Sequence, residues 1–306
     1  MKKIPRKIHQ IYTAGWDALP DEIKALAHEL QQKNPAWAYR FYDDQAITNY
    51  IGQHFGPDTL ALYQRINPEY GAARADLFRY LVMYNEGGVY LDIKSSCDRP
   101  LDDIIPEDCE LILCHWDNGP QGLDIKKGLH PELSALQKGE YQQWNIIAGV
   151  RSPYLKAVID DVTERIRNYR PWTAGIGMKG VLRTTGPIAY TLAIGKIPAG
   201  NEICYVENHR DIGLIYCGVG STVLKRVKKS AYARLKTPIV TLDKKDYAKY
   251  QLWLFFIHPV LRLYKNIINE ACIAMHKVRQ MLPSRKANRA DKTVVTEGSA
   301  PQNSSR

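Results

Sequence analysis

The stretch Ala72-Ala-Arg74-Ala-Asp76-Leu-Phe-Arg79-Tyr-Leu-Val-Met-Tyr-Asn-Glu-Gly87-Gly88-Val-Tyr-Leu-Asp92-Ile-Lys94 decides the reading of this 306-residue chain. Leu77, Tyr80, Leu81 and Tyr84 recur at helical spacing over residues 76–85, and Gly87-Gly88 ends that helix and lets the chain reverse tightly. Val89-Tyr-Leu-Asp-Ile93 follows as a buried-type strand that carries Asp92 at its carboxyl end. Asp76 and Arg79, at i and i+3, place a carboxylate and a guanidinium on one helix face. Taken alone, that pair reads more readily as a surface ion pair, and the whole string shifts that balance. In open α/β sheets, however, ligands sit outside the carboxyl ends of strands. The string therefore predicts that Asp76, Arg79 and Asp92 converge on one ligand.

The surrounding sequence repeats the strand–helix–strand pattern. Residues 7–12 and 37–42 read as strands rich in β-branched or aromatic side chains. Between them, Ile23, Leu26, Ala27 and Leu30 give residues 21–33 a helical stripe, started at Pro20-Asp21 and ended at Asn34-Pro35. Residues 111–114 and 145–149 read as further strands, 154–169 as a helix, and 172–187, rich in Gly and Thr, as a loop. The expected fold is α/β, a mostly parallel sheet flanked by helices.

Charge divides the chain unevenly. Of 42 Lys/Arg and 32 Asp/Glu, residues 1–224 hold 24 and 27, a net of −3, while residues 225–306 hold 18 and 5, a net of +13. After Trp253, Phe255 and Phe256, the apolar residues Leu261, Tyr264, Ile268, Cys272, Met275 and Leu282 recur at helical spacing among Arg262, Lys265, Lys277 and Arg279. Such a basic amphipathic helix suits the headgroup plane of an anionic membrane; the bland alternative is a helix packed on the domain. The expected organisation is a domain over 1–245, a basic amphipathic docking segment over 246–282, and a disordered basic tail over 283–306. No apolar run approaches the roughly 18–20 residues of a spanning helix, and Arg6, Lys7, His9 and Gln10 break any signal-like core. The six cysteines show no C-x-x-C spacing, which argues for reduced thiols of a cytosolic protein rather than a zinc site.

The motif string resembles glycosyltransferase family 32, the family with a DXD-motif sugar-binding region, which includes Golgi α-mannosyltransferases and bacterial capsule and lipopolysaccharide transferases. The likeness runs from Ile4-Pro5-Arg-Lys-Ile-His9-Gln-Ile-Tyr12, through Asn34-Pro35 and Tyr39-Arg40-Phe41, to Asp92, and thins to Asn145-Ile-Ile-Ala148 and Thr185-Gly186-Pro187. It implies a GT-A-type fold, a nucleotide-sugar donor and transfer with retention of anomeric configuration; the C-terminal helical extension read from the charge and apolar pattern is added to that fold, and a glycan or lipid-linked glycan is the expected acceptor. It also implies roles. Asp76 and Arg79 match residues that hold the donor sugar and phosphate, and Asp92 matches the first Asp of D-x-D, near ribose and metal. Tyr12 matches an aromatic that stacks on the base, although a core aromatic at a strand end is an equal alternative. Asn145 matches a polar residue near the donor sugar, with a local hydrogen bond as its alternative.

One position departs from the pattern: the second Asp of the motif is Lys94, so the string reads Asp92-Ile93-Lys94. A protonated lysine cannot ligate a hard cation. Three arrangements are open. Lys94 supplies the metal's charge at the diphosphate; or Asp92 with another acid, Asp98 or a later one, still holds Mn²⁺ or Mg²⁺; or Lys94 points away. Weaker metal use at Asp92 is the expectation taken. The expected protein is a cytoplasmic enzyme, peripheral on the inner membrane face, that builds capsular polysaccharide or lipopolysaccharide and has no nucleic-acid partner. The alternatives are a non-catalytic nucleotide-sugar-binding member and, less well supported because no recognition signature is present, a basic nucleic-acid-binding protein.

Overall fold

The computed structural model describes residues 3–200, 202–220, 223, 234–257, and positions 259, 260, 263, 267, 270, 271, 274 and 275. The helical stripe expected after residue 260 falls mostly outside the described residues, as does the tail 283–306.

The chain opens with β1 (Lys7–Ile11), α1 (Asp21–Lys33), β2 (Ala38–Tyr42) and a long helix α2 (Asp44–Arg65) broken at Gly56-Pro57. It continues with α3 (Gly71–Glu86), β3 (Gly88–Leu91), β4 (Ser96–Cys97), α4 (Leu101–Ile104), β5 (Leu111–Cys114) and β6 (Asn145–Ala148). Helices α5 (Pro153–Arg167), α6 (Pro171–Ala174), α7 (Gly177–Thr184) and α8 (Pro187–Ile194) precede β7 (Ile203–Val206) and β8 (Leu214–Ile215). Six strands form one sheet in the order β2-β1-β3-β6-β5-β7. Neighbours are parallel except at β6, which runs antiparallel to both β3 and β5. β4 and β8 pair as a separate antiparallel ribbon. The expected mostly parallel sheet flanked by helices is present.

Alternate residues of each central strand enter different layers, as the two-residue period of a strand requires. Tyr90, Leu111, Leu113, Ile146 and Ala148 pack on the side of α2, α3, α5 and α8; Val89, Leu91, Ile112, Cys114 and Ile147 pack with Leu30, Trp37, Leu101 and Ile104. Helix α3 is buried nearly all round, from Leu77 to Met83. It therefore lacks the clean polar face of a surface helix. The step from α3 to β3 uses glycine for a steric reason. Gly88 has φ +102°, and a Cβ there would stand 2.5 Å from the Lys7 carbonyl oxygen of the adjacent strand.

Two expectations are corrected. Residues 172–187 are not a loop: they hold the end of α6, all of α7 and the first residue of α8. Their glycines mark boundaries, Gly175 ending α6 and Gly186 preceding Pro187 at the start of α8, rather than irregular chain. The thiols are also not uniformly reduced. Cys109 and Cys204, 95 residues apart, form a disulfide with a Cα–Cα separation of 6.0 Å. The parallel pairing of β5 and β7 sets Ile112 opposite Cys204 and so brings the two segments together. Cys97, Cys114 and Cys217 are free.

Contacts divide the chain into a compact unit over residues 1–246 and a second over 247–306. In the second, Phe255, Phe256, Ile257, Val260, Leu263 and Ile267 are exposed. No helix among the described residues is long and apolar enough to cross a membrane.

Candidate active site

β1 and β3 are parallel neighbours, so both carboxyl ends open on one edge of the sheet, bringing Tyr12 and Asp92 there. The reversed strand β6 delivers its first residue to the same edge: Asn145 stands opposite Leu91, and the Asp92 amide donates to the Trp144 carbonyl at 2.8 Å.

Asp76, Arg79 and Asp92 meet as the sequence predicts. One guanidinium bridges the two carboxylates, with Nη2 at 3.1 Å from Asp76 Oδ1 and Nη1 at 3.2 Å from Asp92 Oδ1. Nη1 also donates to the Gln143 carbonyl (2.9 Å), Nε to the Ala75 carbonyl (3.3 Å), and the guanidinium lies 4.6 Å from the Tyr90 ring centroid. The pair is not on the surface: Asp76 is 3% and Arg79 6% exposed. Asp76 is saturated, accepting from Gln143 Nε2 on one oxygen (3.0 Å) and from Thr185 Oγ1 on the other (2.8 Å). Burial pushes its carboxyl above the usual range, while Arg79 and the Thr185 hydroxyl pull it back toward ionisation. Asp92 is the outward member, its side chain 23% exposed, with Oδ1 accepting from Arg79 and from the Tyr90 hydroxyl (2.8 Å). Its other oxygen, Oδ2, faces the Lys94 ammonium at 3.9 Å.

Lys94 sits in the turn after Asp92, where the Ser95 amide donates to the Asp92 carbonyl at 2.7 Å. Its ammonium points toward Asp92 and lies 4.9 Å from the Tyr216 ring centroid. Burial works against the charge, but Asp92 and Tyr216 outweigh it and hold the lysine above its ordinary pKa. Tyr12 is half-buried in the apolar cluster of Leu19, Ile23, Phe41 and Ile93. Asn145 is buried; its Nδ2 donates to Gln142 Oε1 at 3.0 Å, and its Oδ1 has no hydrogen-bond partner.

These side chains do not suit a hard divalent cation, which takes six or more oxygen ligands, several of them carboxylate. One Asp92 oxygen is committed to Arg79 and Tyr90, and the other faces an ammonium. Asp98, the other acid considered, has its carboxylate beside the Arg99 guanidinium at 3.9 Å. No group of three His, Cys, Asp or Glu side chains able to hold a metal exists among the described residues.

Sequence reasoning missed several members of the cluster. Gln143 clamps Asp76 and Arg79 from a stretch without a motif. Tyr90 lies inside the quoted string, where the pattern marks it only as a strand residue. Thr185 lay in the Thr185-Gly186-Pro187 match, which assigned it no role.

Residues 20–111 match the family described as glycosyltransferase sugar-binding region containing DXD motif. The chain is 27% identical over 173 residues to the uncharacterized glycosyltransferase L373 of Acanthamoeba polyphaga mimivirus, covering 54% of this chain and 67% of the viral one. It is 29% identical over 102 residues to the mannosyl phosphorylinositol ceramide synthase SUR1 of Saccharomyces cerevisiae, covering 33% of this chain and 25% of the yeast one. Among solved structures, the PaToxG glycosyltransferase superposes over 81% of this chain and 86% of its own, with a TM-score of 0.46 and 18% identity. The matched segment contains the helix–glycine–strand string and the three converging side chains. The chain thus carries a glycosyltransferase sugar-binding region of the DXD-motif type over residues 20–111, with its own motif written Asp92-Ile93-Lys94.

Proposed function

We propose that the protein transfers a hexose or N-acetylhexosamine from a UDP-sugar, or mannose from GDP-mannose, to a surface glycan acceptor such as capsular polysaccharide or lipopolysaccharide, with retention at the anomeric carbon. The convergence of Asp76, Arg79 and Asp92 at the carboxyl edge of β1 and β3 carries this reading. In the reaction the bond from the anomeric carbon to the diphosphate oxygen breaks, a bond to an acceptor hydroxyl oxygen forms, and the hydroxyl proton passes to the departing diphosphate. Positive charge grows on the sugar and negative charge on the diphosphate. Asp92, the partly exposed carboxylate, faces the sugar and stabilises its cationic centre; Lys94 and Arg79 favour the departing diphosphate. Asp76, with its oxygens already occupied, holds Arg79 and forms the floor against which the donor sugar rests. Tyr12 stacks on the base, and Asn145 offers its unpaired oxygen to a donor hydroxyl.

The name of the yeast relative describes a sugar carried on a ceramide-linked acceptor, which supports a lipid-linked acceptor here. The basic C-terminal quarter and the exposed Phe255, Phe256, Ile257 and Val260 support docking on the anionic inner face of a membrane. Removing residues 247–306 should release the protein from anionic vesicles; sedimentation of the truncated form with those vesicles would remove docking from the proposal.

The donor test is a panel of UDP- and GDP-sugars scored by thermal stabilisation and by release of nucleoside diphosphate. One donor should stabilise the fold, by about 2.7 kcal/mol at a hundred times its Kd, and be turned over. Lys94 motivates a second reading, a family member that binds nucleotide sugar without transfer. Stabilisation without turnover would select that reading, and stabilisation by no donor would reject both.

A further inference from the structure

We propose that Lys94 and Lys127 together bind the donor diphosphate and take the place of the divalent metal for which a D-x-D motif is built. The inference rests on the reading of the protein as a user of nucleotide sugars and names the charges of that site.

The motif's charge gives the first argument. Two aspartates and a divalent cation sum to zero, and so do Asp92 and Lys94. The lysine therefore preserves the net charge presented to a diphosphate while occupying, 3.9 Å from Asp92 Oδ2, the place of a cation. A fixed ammonium has three donors for phosphate oxygens and needs no ligand shell.

Lys127 gives the second. It comes from the 117–129 loop, beyond the segment that matches the family, yet its ammonium lies 4.2 Å from the centroid of the Tyr216 ring that also carries Lys94 at 4.9 Å. It is 3.5 Å from the Trp116 centroid, and the two rings meet edge to face at 5.0 Å. Two cations thus share one aromatic ring beside Asp92. Lys127 is fixed there by an unusual backbone. Lys126 (φ +62°) and Gly128 (φ +72°) are both left-handed, and the Asn118 side chain donates to the Lys127 carbonyl at 3.0 Å. A Cβ on Gly128 would stand 2.6 Å from Trp116 Cδ1. Held backbone of this kind clusters where a ligand is clamped.

The neighbourhood is left short of negative charge. Asp124 serves both Lys127 (3.2 Å) and Arg210 (2.7 Å). Among the described residues, Lys94, Lys127 and Arg210 form their ion pairs with Asp92 and Asp124, so three cations share two carboxylates and one positive charge remains for an anion. Burial, with the nearby charges of Arg210 and Lys94, holds Lys127 below the ordinary lysine pKa despite Asp124, as expected of a cation awaiting a counter-charge.

The test is calorimetric titration of the full chain with UDP and GDP, in EDTA and then in Mn²⁺. One nucleotide should bind in EDTA, with a Kd changed less than about twofold by Mn²⁺. Lys127→Met, which keeps the aliphatic contact with Trp116, should weaken binding about tenfold to a hundredfold, the loss of one charge-assisted contact. Lys94→Asp, which restores two acids, should lose binding in EDTA and regain it in Mn²⁺. Melting of each variant without nucleotide separates lost binding from lost fold, and Lys94→Asp carries the test if Lys127→Met does not fold. Binding by the unaltered protein only with Mn²⁺, or equal affinity in folded Lys127→Met, overturns the inference and leaves the glycosyltransferase reading standing. Binding of neither nucleotide under either condition overturns both.

Discussion

Replacing Arg79 with methionine removes the one cation that holds two carboxylates together. The side chain length stays similar, but the contacts to Asp76 (3.1 Å), Asp92 (3.2 Å) and the Gln143 carbonyl (2.9 Å) disappear. Asp76 is left 3% exposed, with only Thr185 and Gln143 as donors. Breaking a buried ion pair from one side costs about 3–5 kcal/mol, because the remaining charge is uncompensated. For a unit of 246 residues, at roughly 2–4 °C per kcal/mol, the melting temperature should fall by roughly 6–20 °C. The deficit should also depend on pH in a known direction. Asp76 is already raised by burial and loses the charge that pulls it down. A carboxyl with a raised folded-state pKa costs nothing below its unfolded value and costs most above its folded one. Arg79→Met should therefore lie closer to the unaltered protein at pH 5 than at pH 8. Arg79→Lys, which keeps charge but not the two-pronged geometry, should fall between the two. The assay is differential scanning calorimetry at both pH values. A deficit under about 1 kcal/mol, or one that does not change with pH, would refute the view of Arg79 as the bridge.

Two further outcomes follow from the same edge of the sheet. Gly88→Ala puts a side chain at φ +102° against the Lys7 carbonyl; the backbone term alone is about 1–3 kcal/mol, so chemical denaturation should show at least that loss, and an unchanged midpoint would contradict the packing of β3 on β1. His9, fully buried with its ring nitrogens at 3.1 Å from the Tyr42 hydroxyl and 3.0 Å from the Gly87 carbonyl, is pushed by burial from 6.5 to about 4. The unfolded chain thus binds the extra proton between those values, and stability should decline by up to about 3 kcal/mol as pH falls from 6.5 toward 4. His9→Asn should flatten that slope in urea titrations, whereas an unchanged slope would assign the pH dependence elsewhere.

The sequence shows these elements to different degrees, for physical reasons. The 21–33 helix is legible to its ends because one apolar stripe faces the core and Pro20 and Asn34 bound it. The convergence of Asp76, Arg79 and Asp92 is legible because helix, glycine pair and strand are contiguous, so local geometry suffices. The direction of β6 is not, since a four-residue apolar run carries no sign of orientation. Nor is the Cys109–Cys204 pairing, which depends on two strands meeting from 95 residues apart. The short helices in 171–194 are hidden by the glycines that bound them, because composition does not distinguish a boundary from a loop. Lys127 is invisible for a similar reason: its placement beside Lys94 depends on a loop folded around Trp116 and Tyr216, residues that are 100 positions apart in the sequence.

Asp92→Asn changes one oxygen to an amide with almost no change of shape, and its effect on turnover addresses the proposed chemistry without disturbing the fold. With the donor selected from the panel of UDP- and GDP-sugars, the rate of nucleoside diphosphate release should drop at least about a hundredfold, while the melting temperature moves by only a few degrees. Turnover by Asp92→Asn at the rate of the unaltered protein would show that the sugar is activated somewhere other than the edge where Asp76, Arg79 and Asp92 meet.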